Sequence, residues 1–172
     1  MKVLVVVDMQ NDFIDGSLGT PEAQRILPRV YEKIRGFDGE VLFTQDTHDD
    51  QYLNTQEGSH LPVPHCVKGT LGWEIHPDVR RCAPDAQVFE KGTFASLALG
   101  QYLAQRDVES VELIGLCTDI CVVSNALLMK ACLPEVPVLV DASCCAGVTP
   151  ASHAAALDTM KSCQVRVTGE NG

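Results

Sequence analysis

The chain has 172 residues, of which 45% are hydrophobic and 21% are charged, a size and composition that suit one globular domain with a buried core. Its formal net charge of −10, from 23 acidic and 13 basic residues, disfavours binding to nucleic acid or to an anionic membrane surface. The sequence contains no apolar run long enough to cross a bilayer, and the run before Asp8 is too brief for a signal peptide, so we expect a cytoplasmic protein.

Short β-branched runs alternate with helical segments along the chain. The first run, residues 3–7, is unbroken Val and Leu, which is typical of a strand covered on both faces. Strands are predicted at 3–7, 41–44, 87–89, 111–116, 136–140 and 164–167, and helices at 21–34, 94–106, 119–131 and 150–162. This alternation implies right-handed crossovers. It predicts a single-domain, three-layer α/β/α sandwich over residues 1–172, with a mainly parallel, doubly wound sheet.

One long irregular stretch, from about residue 47 to residue 72, interrupts this pattern, and loops of that length in compact domains often carry function. In parallel α/β folds, ligands bind beyond the carboxyl ends of the strands. Asp8 follows the first predicted strand, residues 46–48 follow the second, and residues 117–121 follow the fourth. The sequence therefore predicts a site where these three segments meet.

The segment after the fourth strand, Gly-Leu-Cys-Thr-Asp-Ile-Cys-Val, leads into a helix. Asp119, or Thr118 before it, is a suitable N-cap, and either choice places Cys121 in the first helical turn. Free N–H groups and the helix dipole there favour a thiolate and can hold an oxyanion. We therefore select Cys121 as the candidate nucleophile, with simple packing under the sheet as the alternative. Most of the other seven cysteines are expected to be buried, reduced thiols.

Histidine and acidic side chains are concentrated at and after the second predicted strand. Asp46 and His48 are two residues apart, so their side chains leave an extended strand end on one side. Glu57 and His65 follow in the long loop. Two imidazoles and two carboxylates form a mixed set that suits Zn²⁺, Mn²⁺ or Fe²⁺, and we expect a divalent metal here, zinc first. His60 and His76 are expected to be solvated.

Four segments, in order along the chain, resemble the motifs of the isochorismatase-like cysteine hydrolases, and among them the nicotinamidases. They are residues 8–13 (Asp-Met-Gln-Asn-Asp-Phe), residues 64–72 (Pro-His-Cys-Val-Lys-Gly-Thr-Leu-Gly), the segment around Lys91, and residues 118–122 (Thr-Asp-Ile-Cys-Val). The resemblance covers essentially the whole chain. It implies that Asp8 is the general base, Cys121 the nucleophile, and Lys91 the cation that orients Asp8 and favours the thiolate.

The same resemblance implies how an oxyanion is held. A cis peptide is expected between Leu116 and Cys117, and it would turn the N–H of Cys117 towards the oxyanion beside the N–H of Cys121. Phe13, by the same resemblance, would stack on the substrate ring.

The resemblance also bears on the metal. Nicotinamidases carry an Asp-x-His pair and a later His before a Cys, which His65 matches, whereas metal-free isochorismatases do not. Glu57 is similar to the acidic fourth ligand of some bacterial members, and His60 is the alternative for that position. Many nicotinamidases have a Trp shortly before the His-Cys pair, but residues 61–64 are Leu-Pro-Val-Pro here and Trp73 comes later.

The predicted function is therefore that of a metal-dependent nicotinamidase, which forms nicotinate and ammonia through a thioester on Cys121. Nicotinamide would bind with its ring nitrogen on the metal. Three alternatives stay open: hydrolysis of another small carbamoyl or ureido amide, a vinyl-ether hydrolysis like that of isochorismatase, and a non-catalytic flavodoxin-like binding module. The family forms dimers and tetramers, so the resemblance also implies a homo-oligomer.

Overall fold

The computed structural model describes residues 1–170, and its centre is a six-stranded sheet in which all neighbouring strands are parallel. The strands are β1 (Lys2–Val7), β2 (Glu40–Asp46), β3 (Gln87–Lys91), β4 (Ser110–Leu116), β5 (Val138–Ala146) and β6 (Arg166–Thr168). Their order across the sheet is β3-β2-β1-β4-β5-β6, so the chain winds outwards in both directions from the centre. The direction of winding reverses between β1 and β4, where open α/β sheets bind their ligands.

Eight α-helices lie within residues 1–170. They are α1 (Asn11–Ile14), α2 (Pro21–Arg25), α3 (Leu27–Gly36), α4 (Gln56–His60), α5 (Pro77–Cys82), α6 (Leu97–Ala104), α7 (Val123–Cys132) and α8 (Pro150–Ser162). A 3₁₀ turn at Tyr52–Asn54 and a π-helical turn at Thr118–Val122 complete the regular structure of this part of the chain. None of these helices is long and apolar enough to cross a membrane.

The sheet separates two hydrophobic cores, and β1 contributes to both. Val3, Val5 and Val7 belong to the core that includes side chains of α6, α7 and α8. Leu4 and Val6 belong to the opposite core, with side chains of α3 and α5. Because successive strand residues point to opposite faces, a strand that is covered on both sides must be apolar at every position. The predicted three-layer α/β/α sandwich is confirmed, and its sheet is parallel throughout.

Several predicted boundaries are wrong in instructive ways. The helix expected at 21–34 is two helices, α2 and α3, that meet at Ile26. Pro28 lies in the first turn of α3, where its missing N–H costs no intrahelical hydrogen bond, so it starts a helix there. The long loop is also not irregular throughout: it contains the 3₁₀ turn and α4, which the side chain of Thr55 caps by accepting from the N–H of Gly58. β3 extends to Lys91, which brings that lysine to the carboxyl edge of the sheet.

Candidate active site and metal centre

Asp8, Lys91 and Cys121 meet at the carboxyl edge of the sheet, as the sequence predicts. Asp8 follows β1, Lys91 ends β3, and Cys121 lies in the turn after β4. The Lys91 Nζ is 2.6 Å from Asp8 Oδ2 and 3.6 Å from Cys121 Sγ. All three residues are buried: the exposed fraction is 0% for Asp8, 6% for Lys91 and 4% for Cys121. The ammonium therefore contacts the acid and the thiol at the same time.

Neighbouring groups fix the acid and the lysine in place. The Thr44 hydroxyl donates to Asp8 Oδ1 at 2.7 Å, and the N–H of Asp8 reaches the same Thr44 oxygen at 3.3 Å. Asp8 has a φ of +45°, a left-handed conformation in which asparagine and aspartate occur more often than most residues. The Lys91 Nζ also donates to the carbonyl of Thr93 at 3.0 Å. These contacts leave the second carboxylate oxygen of Asp8 facing the lysine.

The surroundings of the Cys121 thiol act on its ionisation in opposite directions. Burial and the repulsion of the Asp8 carboxylate raise the pKa of the Cys121 thiol well above its ordinary value, although Lys91 offsets part of this effect. Burial also raises the pKa of Asp8, against the attraction of Lys91. Burial thus favours the protonated form of both groups, and the Lys91 ammonium, which contacts each of them, opposes this effect.

The turn that carries the thiol begins differently from the prediction. The Leu116–Cys117 peptide is cis, as expected. Neither Thr118 nor Asp119 is the N-cap, however: Cys117 occupies that position, and its carbonyl accepts from the N–H groups of Ile120 and Val122. A π-helical turn therefore precedes α7, and the two residues expected as caps direct their side chains elsewhere.

Asn125 supports this turn and was missed by the sequence analysis. It is fully buried one helical turn after Cys121, and its Nδ2 donates to the carbonyls of Cys121 at 2.8 Å and Phe94 at 3.1 Å. Its Oδ1 accepts from the N–H of Ser96 at 3.0 Å. One amide thus joins the turn that carries Cys121 to the loop that follows Lys91. An Asn within an apolar helical segment is the signal that would have identified it.

Asp46, His48, Glu57 and His65 form a second cluster, and one ligand atom from each lies within 4.8 Å of all the others. His48 Nε2 is 3.0 Å from Asp46 Oδ2, and His65 Nε2 is 3.6 Å from the same oxygen. Both imidazole nitrogens lie 3.7 Å from Glu57 Oε1. The other ring nitrogen of His65 lies 2.8 Å from the carbonyl of Val63, a contact that orients the imidazole with Nε2 inward.

The donor set of this cluster fits a divalent cation, because the buried Asp46 carboxylate, the half-buried Glu57 carboxylate and two imidazole nitrogens come close together. Glu57 belongs to the cluster, whereas His60 is exposed and bonds through Nδ1 to the carbonyl of Gln56 at 2.9 Å. His76 differs from its prediction, since it is half-buried, with its ring 6.4 Å from that of Tyr31.

Asp46 belongs to both groups of residues, which the sequence analysis did not anticipate. Its Oδ1 is 3.3 Å from Lys91 Nζ, while its Oδ2 faces the two histidines. Burial opposes ionisation of this carboxyl, but the hydrogen bonds from His48 and His65 and the charge of Lys91 hold the pKa of Asp46 well below its ordinary value. The parallel pairing of Asp46 with Lys91 across β2 and β3 produces this contact. The set of Asp8, Lys91 and Cys121 is therefore continuous with the metal cluster, and the two form one site.

Two residues of the first motif, which the sequence analysis did not assign, position the metal cluster. Gln10 is buried and pairs with the backbone of Asp46: its Oε1 accepts from the N–H at 2.7 Å and its Nε2 donates to the carbonyl at 2.8 Å. Asp12 Oδ2 accepts from the N–H of Cys66 at 2.8 Å, directly after His65. These partners are 36 and 54 residues away along the chain, so no local pattern could have identified them.

Aromatic rings line the metal cluster. The Phe13 ring is 5.5 Å from that of His65, which places this predicted substrate-binding residue beside the cluster, although only 7% of it is exposed. The Tyr52 ring packs edge-on against His48 at 4.8 Å and His65 at 4.9 Å. Trp73 lies outside the cluster and donates through Nε1 to Thr47 Oγ1 at 2.9 Å.

Comparison with known proteins agrees with this geometry. The profile of the isochorismatase domain matches residues 2–171. A nicotinamidase/pyrazinamidase from Mycobacterium tuberculosis is 31% identical, with 97% of this chain and 98% of the relative covered. A nicotinamidase from Acinetobacter baylyi is 29% identical over 72% of each chain. Among solved structures, the pyrazinamidase of Pyrococcus horikoshii in complex with zinc is 29% identical, with a TM-score of 0.84 and coverage of 97% and 98% of the two chains.

Proposed function

The chain belongs to the isochorismatase domain family, and from that premise we propose that it is a metal-dependent cysteine amidohydrolase that converts nicotinamide to nicotinate and ammonia. The observation that carries this proposal is the position of the Asp46 carboxylate. One of its oxygens contacts Lys91, which also contacts Cys121, and the other faces the histidines of the metal cluster. A site of this kind can hold a heteroaromatic ring at one end and cleave its amide at the other. Relatives named as nicotinamidases and pyrazinamidases support an amide as the bond that is cleaved.

The first half of the proposed reaction acylates Cys121. The thiol proton passes to the Asp8 carboxylate as the sulfur attacks the amide carbon, so the nucleophile becomes anionic only during the attack. The Lys91 ammonium contacts both groups and stabilises the negative charge on either of them. The N–H groups of Cys117 and Cys121 are proposed to hold the oxyanion. Asp8 then gives its proton to the leaving nitrogen, the C–N bond breaks, and ammonia departs from a thioester.

The second half of the reaction regenerates the thiol. Asp8, again a carboxylate, takes a proton from a water molecule whose oxygen attacks the thioester carbon. The C–S bond then breaks, the sulfur regains a proton from Asp8, and the carboxylic acid leaves. One acid thus serves both halves, which requires it to change protonation readily. The raised pKa of Asp8 in its buried position suits that requirement.

Asp46, His48, Glu57 and His65 would hold the metal ion, with zinc as the first choice and manganese or iron as alternatives. When bound, such an ion supplies a Lewis acid that can accept the lone pair of an uncharged ring nitrogen. Phe13 is proposed to contact the substrate ring from its position against His65. A relative solved in complex with zinc supports the choice of metal.

An ammonia-release screen tests this function. The metal-loaded protein is assayed with nicotinamide, pyrazinamide and a panel of small carbamoyl and ureido compounds, with a chelator-treated sample in parallel. We expect nicotinamide to give the highest kcat/KM and chelation to lower it. A higher kcat/KM for a carbamoyl or ureido compound would replace the proposed substrate but leave the amidohydrolase. Absence of ammonia from every compound would refute the proposed function.

A further inference from the structure

Thr118 and Asp119, the two residues expected to cap the nucleophile's helix, instead hold the turn from outside. Thr118 is fully buried, and its Oγ1 lies 2.7 Å from Nδ1 of His153 on α8. Asp119 Oδ1 accepts from the N–H of Val148, in the connection between β5 and α8, at 3.0 Å. The turn that carries Cys121 is therefore attached to a neighbouring element at two points.

His153 is itself held closely. It lies in the first turn of α8, which Thr149 caps by accepting from the N–H of Ser152. The backbone of Gly147 approaches it so nearly that a Cβ at that glycine would lie 2.9 Å from the N, Cα and Cβ atoms of His153. The backbone at His153 is therefore closely packed against Gly147.

His153 also lines a cavity. This cavity of about 410 Å³ lies between the α2–α3 segment and α8, and Arg29, Thr149 and Leu157 contribute to its wall. None of the proposed catalytic or metal-binding residues lines it. A small molecule in this space can reach the imidazole position without entering the site that holds the thiol.

We infer that His153 is a positioning residue for the nucleophile: its contact with Thr118 fixes the turn that places the thiol of Cys121 and the N–H of Cys117 relative to Asp8. The inference rests on the proposed function for its effect on turnover. The hydroxyl of Thr118 is buried, so loss of its partner leaves it without a hydrogen bond. That costs free energy and favours a rearrangement of the turn. Small displacements of reacting groups reduce rates strongly.

The test uses His153→Ala in the full-length, metal-loaded protein. We expect kcat for nicotinamide to fall by about 10–100-fold, with KM changed less than about twofold because the substrate-binding groups lie on other elements. Imidazole added to the variant should restore much of kcat, because the truncated side chain opens space continuous with the cavity. His153→Asn keeps a polar atom near the position of Nδ1 and should retain most of the activity.

Two further variants keep the result interpretable. Thr118→Val preserves the shape of the side chain but removes the same contact, so it should lose a similar factor in kcat without rescue by imidazole. Arg29→Ala changes the same cavity without touching the turn and should behave like the wild type, with or without imidazole. Should His153→Ala fail to fold, Thr118→Val and His153→Asn still decide the question.

Amide hydrogen exchange over residues 117–122 separates this inference from the proposed function. We expect faster exchange there in His153→Ala and in Thr118→Val, and imidazole should reverse it only in the former, whatever amide the protein hydrolyses. Wild-type kcat and wild-type exchange in both variants would overturn the inference. The inference would also be overturned if kcat fell together with Tm in His153→Ala, imidazole did not restore kcat, and His153→Asn lost as much activity.

Discussion

Asp8 is proposed to take the proton of the Cys121 thiol, and its surroundings bear on that role. Its carboxylate lies between the Lys91 ammonium and the Thr44 hydroxyl, and burial raises the pKa of both this acid and the Cys121 thiol. Both shifts favour the protonated form of the group concerned. Lys91 offsets the cost of charge in this buried site, wherever the negative charge stands during the reaction.

Asp8→Asn should lower kcat by about 10²–10⁴-fold, because the amide cannot accept the thiol proton. The metal content should not change, since Asp8 is not among the residues of the metal cluster. Thr44→Val serves as the matched control: it removes only the hydrogen bond to Asp8 Oδ1 and should cost far less. Kinetics of ammonia release and elemental analysis make both comparisons, and near-normal turnover by Asp8→Asn would remove this acid from the mechanism.

Single substitutions test which residues bind the metal. His48→Ala and His65→Ala should each yield metal-poor protein, and KM should rise more than kcat falls if the ion mainly binds the substrate. Glu57→Gln should weaken metal retention after dialysis, whereas His60→Ala should retain the wild-type content, because His60 points to a backbone carbonyl outside the cluster. Elemental analysis with the opposite ranking would make His60 the fourth ligand.

At the scale of elements, the end of β4 sets the direction in which the chain enters the site. Gly115 has a φ of +117°, and the pairing of β4 with β5 shifts its register between Leu113 and Gly115. A Cβ at Gly115 would lie only 2.1 Å from the carbonyl oxygen of Val7 in β1. This position therefore requires glycine for two independent reasons, backbone conformation and close approach of a neighbouring strand.

Gly115→Ala should consequently destabilise the protein by about 2–4 kcal/mol and should lower turnover in whatever fraction remains folded. The unfolding free energy from urea titration measures the first effect. Gly36→Ala is the matched control, since a Cβ at this last residue of α3 meets nothing within 4 Å. That control should be neutral or slightly stabilising. Equal stabilities of the two variants would contradict this account of the β4 end.

The elements that the sequence predicts correctly are those whose pattern depends on local chemistry. The apolar run of β1 must be buried on both faces, and the Pro and Thr at the start of α8 mark its beginning whatever packs against it. α4 was missed because a helix of five residues is stabilised mainly by its surroundings. The sharing of Asp46 depends on the register of two strands and on side-chain orientation, neither of which a local pattern contains.

Away from the site, an ion-pair network connects three elements of the fold, α3, β4 and β5. Lys33 on α3 lies 2.8 Å from Glu112 on β4 and 2.7 Å from Asp141 on β5. Burial opposes ionisation of Asp141, but its hydrogen bonds from Lys33 and Ser143 hold the pKa of this carboxyl below its ordinary value. The network therefore joins a helical layer to the sheet, and its strength depends on pH.

The sign of that dependence follows from the lowered pKa. Because Asp141 releases its proton more readily in the folded protein than in the unfolded chain, its stabilising contribution is present above about pH 4 and is lost as the pH falls through the folded value. Asp141→Asn should thus be less stable than the wild type by about 1–3 kcal/mol near neutral pH, and the difference should shrink as the pH falls through the pKa of Asp141 in the folded protein. Urea titrations at several pH values measure this difference.

A matched control for that experiment is Glu90→Gln. Its ion pair with Lys68 is exposed, with 44% and 57% of the two side chains accessible, so its removal should change stability little at any pH. A difference between Asp141→Asn and the wild type that stays constant from neutral to acidic pH would show that the ion pair is not its cause.

Cys121 is proposed as the nucleophile, and a comparison of ammonia release by Cys121→Ala and Cys117→Ala is the sharpest test of that role. Both thiols are free and lie in the same turn, and burial raises the pKa of the Cys117 thiol to about 12, but only the sulfur of Cys121 contacts Lys91. With nicotinamide as substrate, Cys121→Ala should release no ammonia above background, while Cys117→Ala, which keeps its backbone N–H, should retain much of the wild-type rate. Near-normal release by Cys121→Ala would contradict the cysteine mechanism proposed for this site.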